Sequence, residues 1–414
     1  MPITIREVRV MYNAVGIDVS KGKSTVAVLQ PGGVVLRTPY NIGHSHDDLN
    51  ELADYILSLD GDTKVVMECT GRYHQPVLNA LSSKEIFVSA VNPHLIKNFG
   101  INTLRKVKSD PADARKIARY ALDNWADLRQ YSAMDTVRTQ LKTLNSQMDF
   151  FMGQRTSAMN NLISLLDLTY PGINNLFKSP VRSDGHLKWV DFVSVFWHVE
   201  CVSKLSLRAF SERYQSFCKK YDYNDCVGKA EQIYAYSKDI APSVHKDDTY
   251  KSMIQIAAQQ FAQLSASVEQ IREEMNQLAS TLPEYDTVLS MAGVGKTLGP
   301  QLIAEIGDIT RFTHREALTA FAGVDPGVVS SGKMNIRSNR SSKVGSSRLR
   351  KTLFLVMSAL IRTQPEGDPV YQFIDKKRSE GKPYLVYMTA GANKFLRIYY
   401  GKVKACIAAQ TNVQ

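Results

Sequence analysis

The sequence predicts an α/β domain, then a long helical middle, then a mainly α-helical C-terminal part. Three observations predict it. Short β-branched runs alternate with helical spacing over roughly the first third of the chain. Two later tracts hold sustained 3-4 apolar spacing. From about Glu284 the composition turns to glycine-punctuated helices and then to a basic stretch without acid. The segments are 1–130, 131–285 and 286–414, and 414 residues are too many for one compact core.

In the first segment Ala14–Asp18, Ser24–Gln30 and Val34–Thr38 read as strands, separated by a Lys/Gly/Ser turn and by Pro31-Gly32-Gly33. His46–Leu59 has helical spacing (Leu49, Leu52, Tyr55, Ile56, Leu59). Lys64–Cys69 is a short buried strand and Gln75–Leu81 a helix. Ile86–Val91 is a strand stopped by Asn92-Pro93, and Pro111–Leu122 is helical.

In the middle, Met134, Val137, Leu141, Leu144, Met148, Phe151, Ala158, Leu162 and Leu165 form one heptad tract, with Arg155 its one polar core occupant. Ile254 through Leu282 repeats the pattern without interruption. About four heptads of such spacing favour long helices packed as a coiled coil, within one chain or across a dimer. Residues 170–250 are mixed, mostly helical, and carry no legible chemistry. In the last segment Ala292-Gly293-Val294-Gly295 separates two helical patterns, the second Leu298–Ile306, and a further helix covers Ala317–Ala322.

Composition removes several classes. The five cysteines (Cys69, Cys201, Cys218, Cys226, Cys406) form no CxxC pair and are odd in number, which argues against a disulfide framework or a zinc ribbon. The N-terminus has no apolar leader, and no run of about 18 apolar residues follows. A cytoplasmic protein with no membrane partner is expected. The 51 Lys+Arg against 40 Asp+Glu give +11, which leans toward a polyanionic partner. The bias is concentrated: from Pro326 to Pro365 there is no acid, while Lys333, Arg337, Arg340, Lys343, Arg348, Arg350, Lys351 and Arg362 supply eight positive charges. That run reads as a phosphate-binding surface.

Four carboxylates carry the chemical signal. Asp18 ends an apolar strand and Glu68 sits inside another, where an acid costs several kcal/mol unless it is paired or binds a metal. Asp110 and Asp113 open a helix. Capping by Asp110 with Pro111 at the first helical position would explain them without chemistry. Oxygen ligands from three places nevertheless suit a hard ion such as Mg²⁺, and paired ions bridge the attacking and leaving oxygens of phosphoryl transfer. Gly293-Val294-Gly295-Lys296-Thr297 is not a Walker A loop, because Ser290 stands where its first glycine belongs. It reads as a tight helix–helix turn whose backbone N–H groups can grip a phosphate. Ser330 and Ser331 before Gly332 open the basic stretch on a loop, where a hydroxyl can serve as nucleophile or simply build the turn. His198 with Cys201, Cys218 and Cys226 reads as packing, and Tyr73 and His74 line the acidic site or pack beside it.

Taken together the chain resembles the DEDD-type transposases of insertion sequences, family one-hundred-and-ten with its eleven-eleven branch. The resemblance rests on GIDVSKGKSTVAVL from Gly16, MECTGRYHQPV from Met67, VNPHLIKNF from Val91 and KSDPADARKIARYA from Lys108. In the last segment it rests on AGVGKTLGPQLIAEIGDITRF from Ala292, LTAFAGVDP from Leu318, the SSG at Ser330 and SSKVGSSRLRKTL from Ser341. These run in family order over nearly the whole chain.

The resemblance implies a RuvC-like (RNase H-like) N-terminal domain whose metal-binding acids are Asp18, Glu68, Asp110 and Asp113, with Mg²⁺ as cofactor. It implies a coiled-coil middle and a C-terminal transposase domain whose serine before glycine, Ser331 with Ser330 adjacent, forms a phosphoserine link to DNA. Gly293, Gly295, Lys296, Lys333, Arg337, Arg340, Lys343, Arg348 and Arg350 are the nucleic-acid-binding candidates. Target DNA, donor DNA, a bridge RNA and further copies of the chain, as dimer or tetramer, are the implied partners. The alternatives are a Mg²⁺-dependent Holliday-junction nuclease using water, a DNA invertase of the same family, and a non-catalytic nucleic-acid-binding protein.

Overall fold

A computed structural model describes residues 11–68, 73–91, 93–99, 109–131, 136–331 and 334–411. The chain divides into two compact units, Met1–Ala133 and Met134–Gln414.

The first unit is a mixed five-stranded sheet. Strands β1 (Tyr12–Ser20), β2 (Lys23–Gln30) and β3 (Val34–Gly43) form an antiparallel meander, followed by α1 (His46–Leu57). Next come β4 (Asp62–Glu68), α2 (Gln75–Ser82), β5 (Val88–Val91), α3 (Pro93–Asn98) and α4 (Asp110–Asp123). The strand order is β3-β2-β1-β4-β5, with β4 and β5 parallel to β1. Successive strand side chains point to opposite faces, and the sequence uses both. Val15, Ile17 and Val19 of β1 join Val65 and Met67 of β4 against Leu52 of α1 and Leu78 of α2. On the other face Ala14 and Val66 pack on Ile117, Ala118 and Ala121 of α4. The expected strands and helices are therefore present, with α3 added and β3 longer than expected.

The second unit is mostly helical. Helix α5 (Thr136–Thr169) leads through α6 (Lys188–Val195), α7 (Glu200–Ser203), α8 (Leu207–Lys220) and α9 (Lys229–Asp239) to α10 (Asp248–Ser280). Helices α11 (Tyr285–Leu289), α12 (Leu298–Ile306) and α13 (Arg315–Ala322) follow, then the hairpin β6 (Pro326–Ser331) and β7 (Met334–Ser341). Helices α14 (Ser347–Thr363), α15 (Pro369–Ser379) and α16 (Tyr384–Thr411) close the chain. Helices α5 and α10 pack on one another antiparallel within the chain. Leu141 and Met148 share a core with Met275 and Ala279, while Leu162 and Leu166 share another with Ile254 and Phe261. Arg155, the polar interruption, is met by Glu269 across the pair at 4.0 Å. The stretch 170–250 folds into helices around an aromatic core that includes Phe192, Phe196, Phe210 and Phe217.

At the foot of α5 a buried Arg138–Glu284 ion pair ties this helix to the corner before α11. Nearby, Glu305 of α12, 4% exposed, accepts from Asn145 Nδ2 at 2.8 Å and from Ser346 Oγ at 2.9 Å. Ser346 is also the N-cap of α14, so one buried carboxylate fixes three elements.

Candidate active site

The acidic cluster follows from alternation along β1. Ala14, Gly16 and Asp18 all point toward α4. A Cβ on Gly16 would stand 2.3 Å from Ala114 O and 2.3 Å from Ala118 N, so α4 lies directly on the strand backbone there. That contact sets the first turn of α4, with Asp110 and Asp113, over the end of β1 that carries Asp18. Glu68 is one step beyond the Ile17–Met67 pair of β1 and β4 and follows Val66 on the same face. Ser109, rather than the expected Asp110, occupies the N-cap of α4, and no side chain closes the cap. Capping therefore does not account for the two aspartates.

The other three carboxylates act electrostatically on Asp18. Asp18 is half-buried, and its carboxyl rises from the ordinary 3.8 to about 6. Burial is the largest cause, followed by the negative charges of Asp113, Asp110 and Glu68. Asp110 is exposed, whereas Glu68 and Asp113 are half-buried. Among the described residues no three acids, histidines or cysteines stand close enough to ligate one ion, so the set gathers around Asp18 at electrostatic rather than ligand range. A divalent cation would reverse the repulsion that raises Asp18, and carboxylate oxygens are the donors such a hard ion takes. The donor chemistry fits. Tyr73 is exposed beyond β4, and His74 precedes α2.

In the second unit Ser331 ends β6 and pairs with Met334, while Ser330 pairs with Asn335. The stretch expected as a loop is thus a β-hairpin; Arg337 and Arg340 lie on β7, and Lys333 lies outside the described residues. Lys343 is exposed beyond the hairpin with φ +53°. The rest of the basic run is not one free surface. Arg348 and Lys351 both pair with Asp149 of α5, at 3.1 and 2.7 Å, and Arg350 donates to Ala322 O at 2.9 Å at the end of α13. The acid missing from the local sequence, Asp149, arrives from some 200 residues away.

The two turn glycines separate. Gly293 has φ +77°, and a Cβ there would meet Leu360 at 2.9 Å, so packing accounts for it. Gly295 has open space around its missing side chain, and Lys296 beside it is exposed. His198 is consumed by packing, as expected: its Nε2 faces Val244 O at 3.1 Å and its Nδ1 accepts from Glu200 N at 3.1 Å.

A DEDD family profile described as "Transposase" matches residues 15–171, and one described as "Transposase IS116/IS110/IS902 family" matches residues 285–372. The chain belongs to the IS110 family of transposases. The IS110 profiles cover both the acid-bearing unit and the glycine turn, hairpin and α14 of the second. A Streptomyces coelicolor protein, named for the IS117 mini-circle transposase, is 23% identical over 95% of this chain and 93% of its own length. The pilin gene-inverting proteins of Moraxella bovis and Moraxella lacunata are each 28% identical over 34% of this chain and 44% of their own. Among solved structures, Thermus thermophilus RuvC bound to a Holliday junction is 14% identical, covering 28% of this chain and 96% of that one at a TM-score of 0.21. By its family the chain is an enzyme of DNA transposition and recombination. Among the described residues no helix is long and apolar enough to cross a membrane.

Proposed function

We propose that this IS110-family enzyme excises and inserts its own element through a serine–DNA intermediate, with Asp18, Glu68, Asp110 and Asp113 holding Mg²⁺ in a RuvC-like domain. Bound there, the ions would stabilise charge on the reacting phosphate and its leaving oxygen. The gathering of the four acids around Asp18 is the observation that carries this reading. The Ser331 oxygen forms a bond to the phosphorus as the bond from phosphorus to a deoxyribose oxygen breaks, and the serine proton ends on that oxygen, which leaves as a hydroxyl. Attack by another DNA hydroxyl on the phosphoserine then restores a phosphodiester and the serine. Bond energy is conserved, so rejoining takes no ATP. A bridge RNA selects donor and target, and copies of the chain associate through the α5–α10 coiled coil.

The glycine turn and Lys296, with Lys333, Arg337, Arg340 and Lys343, contact the nucleic-acid backbone in this reading. Arg348 and Arg350 serve mainly to fasten α14. Replacing Ser331 by Ala is expected to abolish covalent protein–DNA adducts while leaving DNA binding unchanged. Adducts that persist would move the nucleophile, first to Ser330. The similarity to two pilin gene-inverting proteins favours one second reading, inversion of a flanked segment by the same chemistry. Sequencing recombinant junctions in cells expressing the protein separates the two, since inversion leaves both ends in place and transposition leaves an element at a new site.

A further inference from the structure

One rung of the sheet carries polar residues across four adjacent strands on the α4 face: Glu68 on β4, Asp18 on β1, Thr25 on β2 and Asn41 on β3. Asp18 pairs with Thr25, and Thr25 with Asn41; residues directly opposite one another share a face. Thr25 is 4% exposed, and its hydroxyl donates to Asn41 Oδ1 at 2.8 Å. With its carbonyl oxygen held, the exposed Asn41 amide presents its NH₂ donors outward. Neighbouring strands lie about 4.8 Å apart, which puts Asn41 roughly 10 Å from Asp18. Lys23, exposed and two residues before Thr25, shares this face on the next rung, opposite Ser20.

An amide donor and an ammonium group at that distance are too far to serve the phosphate at the acids. They suit its neighbour along the same strand. We propose that Asn41 and Lys23 bind the sugar–phosphate backbone of the nucleotide next to the scissile one, with Thr25 as the positioning residue for Asn41. The DNA strand then crosses the sheet from β4 toward β3. This rests on the reading of the acid quartet given above.

The test uses the full chain and a fluorescein-labelled oligothymidine, titrated by anisotropy with and without Ca²⁺, which can occupy an acid site without supporting turnover. Asn41→Ala is expected to weaken the Ca²⁺-dependent part of binding by roughly ten- to a hundredfold, the scale of one hydrogen bond to a charged group. Asn41→Asp should weaken it further by setting a negative charge against the phosphate. Thr25→Val should match Asn41→Ala and Thr25→Ser should restore binding, with melting temperatures showing that each variant folds. Lys23→Ala should lower the slope of log K against log salt by about one. Unaltered binding by both Asn41 variants, with the Ca²⁺-dependent part lost only in Asp18→Asn, overturns this contact and leaves the acid site standing. No Ca²⁺-dependent part in the unaltered chain overturns the acid site, and the contact with it.

Discussion

At Asp18 a carboxyl lies two residues beyond the glycine on which α4 rests, so burial and three like charges act on it together. Its value near 6 lies above the ordinary 3.8, so between roughly pH 4 and 6 the folded chain binds more protons than the unfolded one. Stability without divalent ions therefore falls as pH rises through that window, and the penalty is complete above it. The shift caps the effect at about 3 kcal/mol, and solvent screening of a half-exposed group lowers it to about 1–2. Asp18→Asn is expected to raise the metal-free melting temperature at pH 7.5 while abolishing strand cleavage. An unchanged or lower melting temperature would mean that the acids do not strain one another. The glycines of the turn offer a second contrast. Gly293→Ala should destabilise by about 1–3 kcal/mol, through strain at φ +77° and the clash with Leu360. Gly295→Ala should leave thermal stability within about 0.5 kcal/mol and weaken DNA binding. Equal loss of stability in both would reduce the turn to packing.

The seating of α4 on β1 is what brings three distant acids within electrostatic reach of Asp18. Gly16→Val sets a branched side chain into the α4 backbone and is expected to cost more than about 3 kcal/mol in chemical denaturation, with α4 displaced. Small losses would show that the contact is not needed. In the second unit the buried Arg138–Glu284 pair holds α5 to the corner before α11. Removing one partner, as in Glu284→Ala, should cost about 3–5 kcal/mol, because the remaining charge stays buried. Much of this architecture is legible in the sequence. Short apolar runs mark β1 and β4, and strand geometry then puts Gly16 and Asp18, and Val66 and Glu68, on one face. Heptads mark α5, broken only at Arg155, and α10, where they run without a break.

Three features are not legible, each for a physical reason. β7 is largely polar and shows no alternation that announces a strand. β3 passes Pro39 and register shifts near Val28 on the sheet edge, and this hides the partnership of Asn41 with Thr25. The pairing of Arg348 and Lys351 with Asp149 is set by how α5 packs, which no local pattern encodes.

Over the whole molecule, the metal-binding chemistry proposed here belongs to one unit and the nucleophile to the other. A transposase divided in this way gains control, because neither unit cuts DNA on its own in this reading. The distribution of charge fits that division. The first unit carries Asp18 and Glu68 on one rung of the sheet, beside exposed Lys21 and Lys23. The second presents the exposed Lys296 and Lys343 while Asp149 neutralises part of α14. The basic run from Pro326 to Pro365 is therefore less available to nucleic acid than the sequence suggests. The most direct measurement is calorimetric titration of the full chain with Mn²⁺ at pH 7.5, beside the Asp18→Asn variant. Saturable binding that disappears with Asp18→Asn, and that weakens in the unaltered chain below about pH 6 as Asp18 takes up its proton, is the expected result. An identical isotherm from the variant would contradict it.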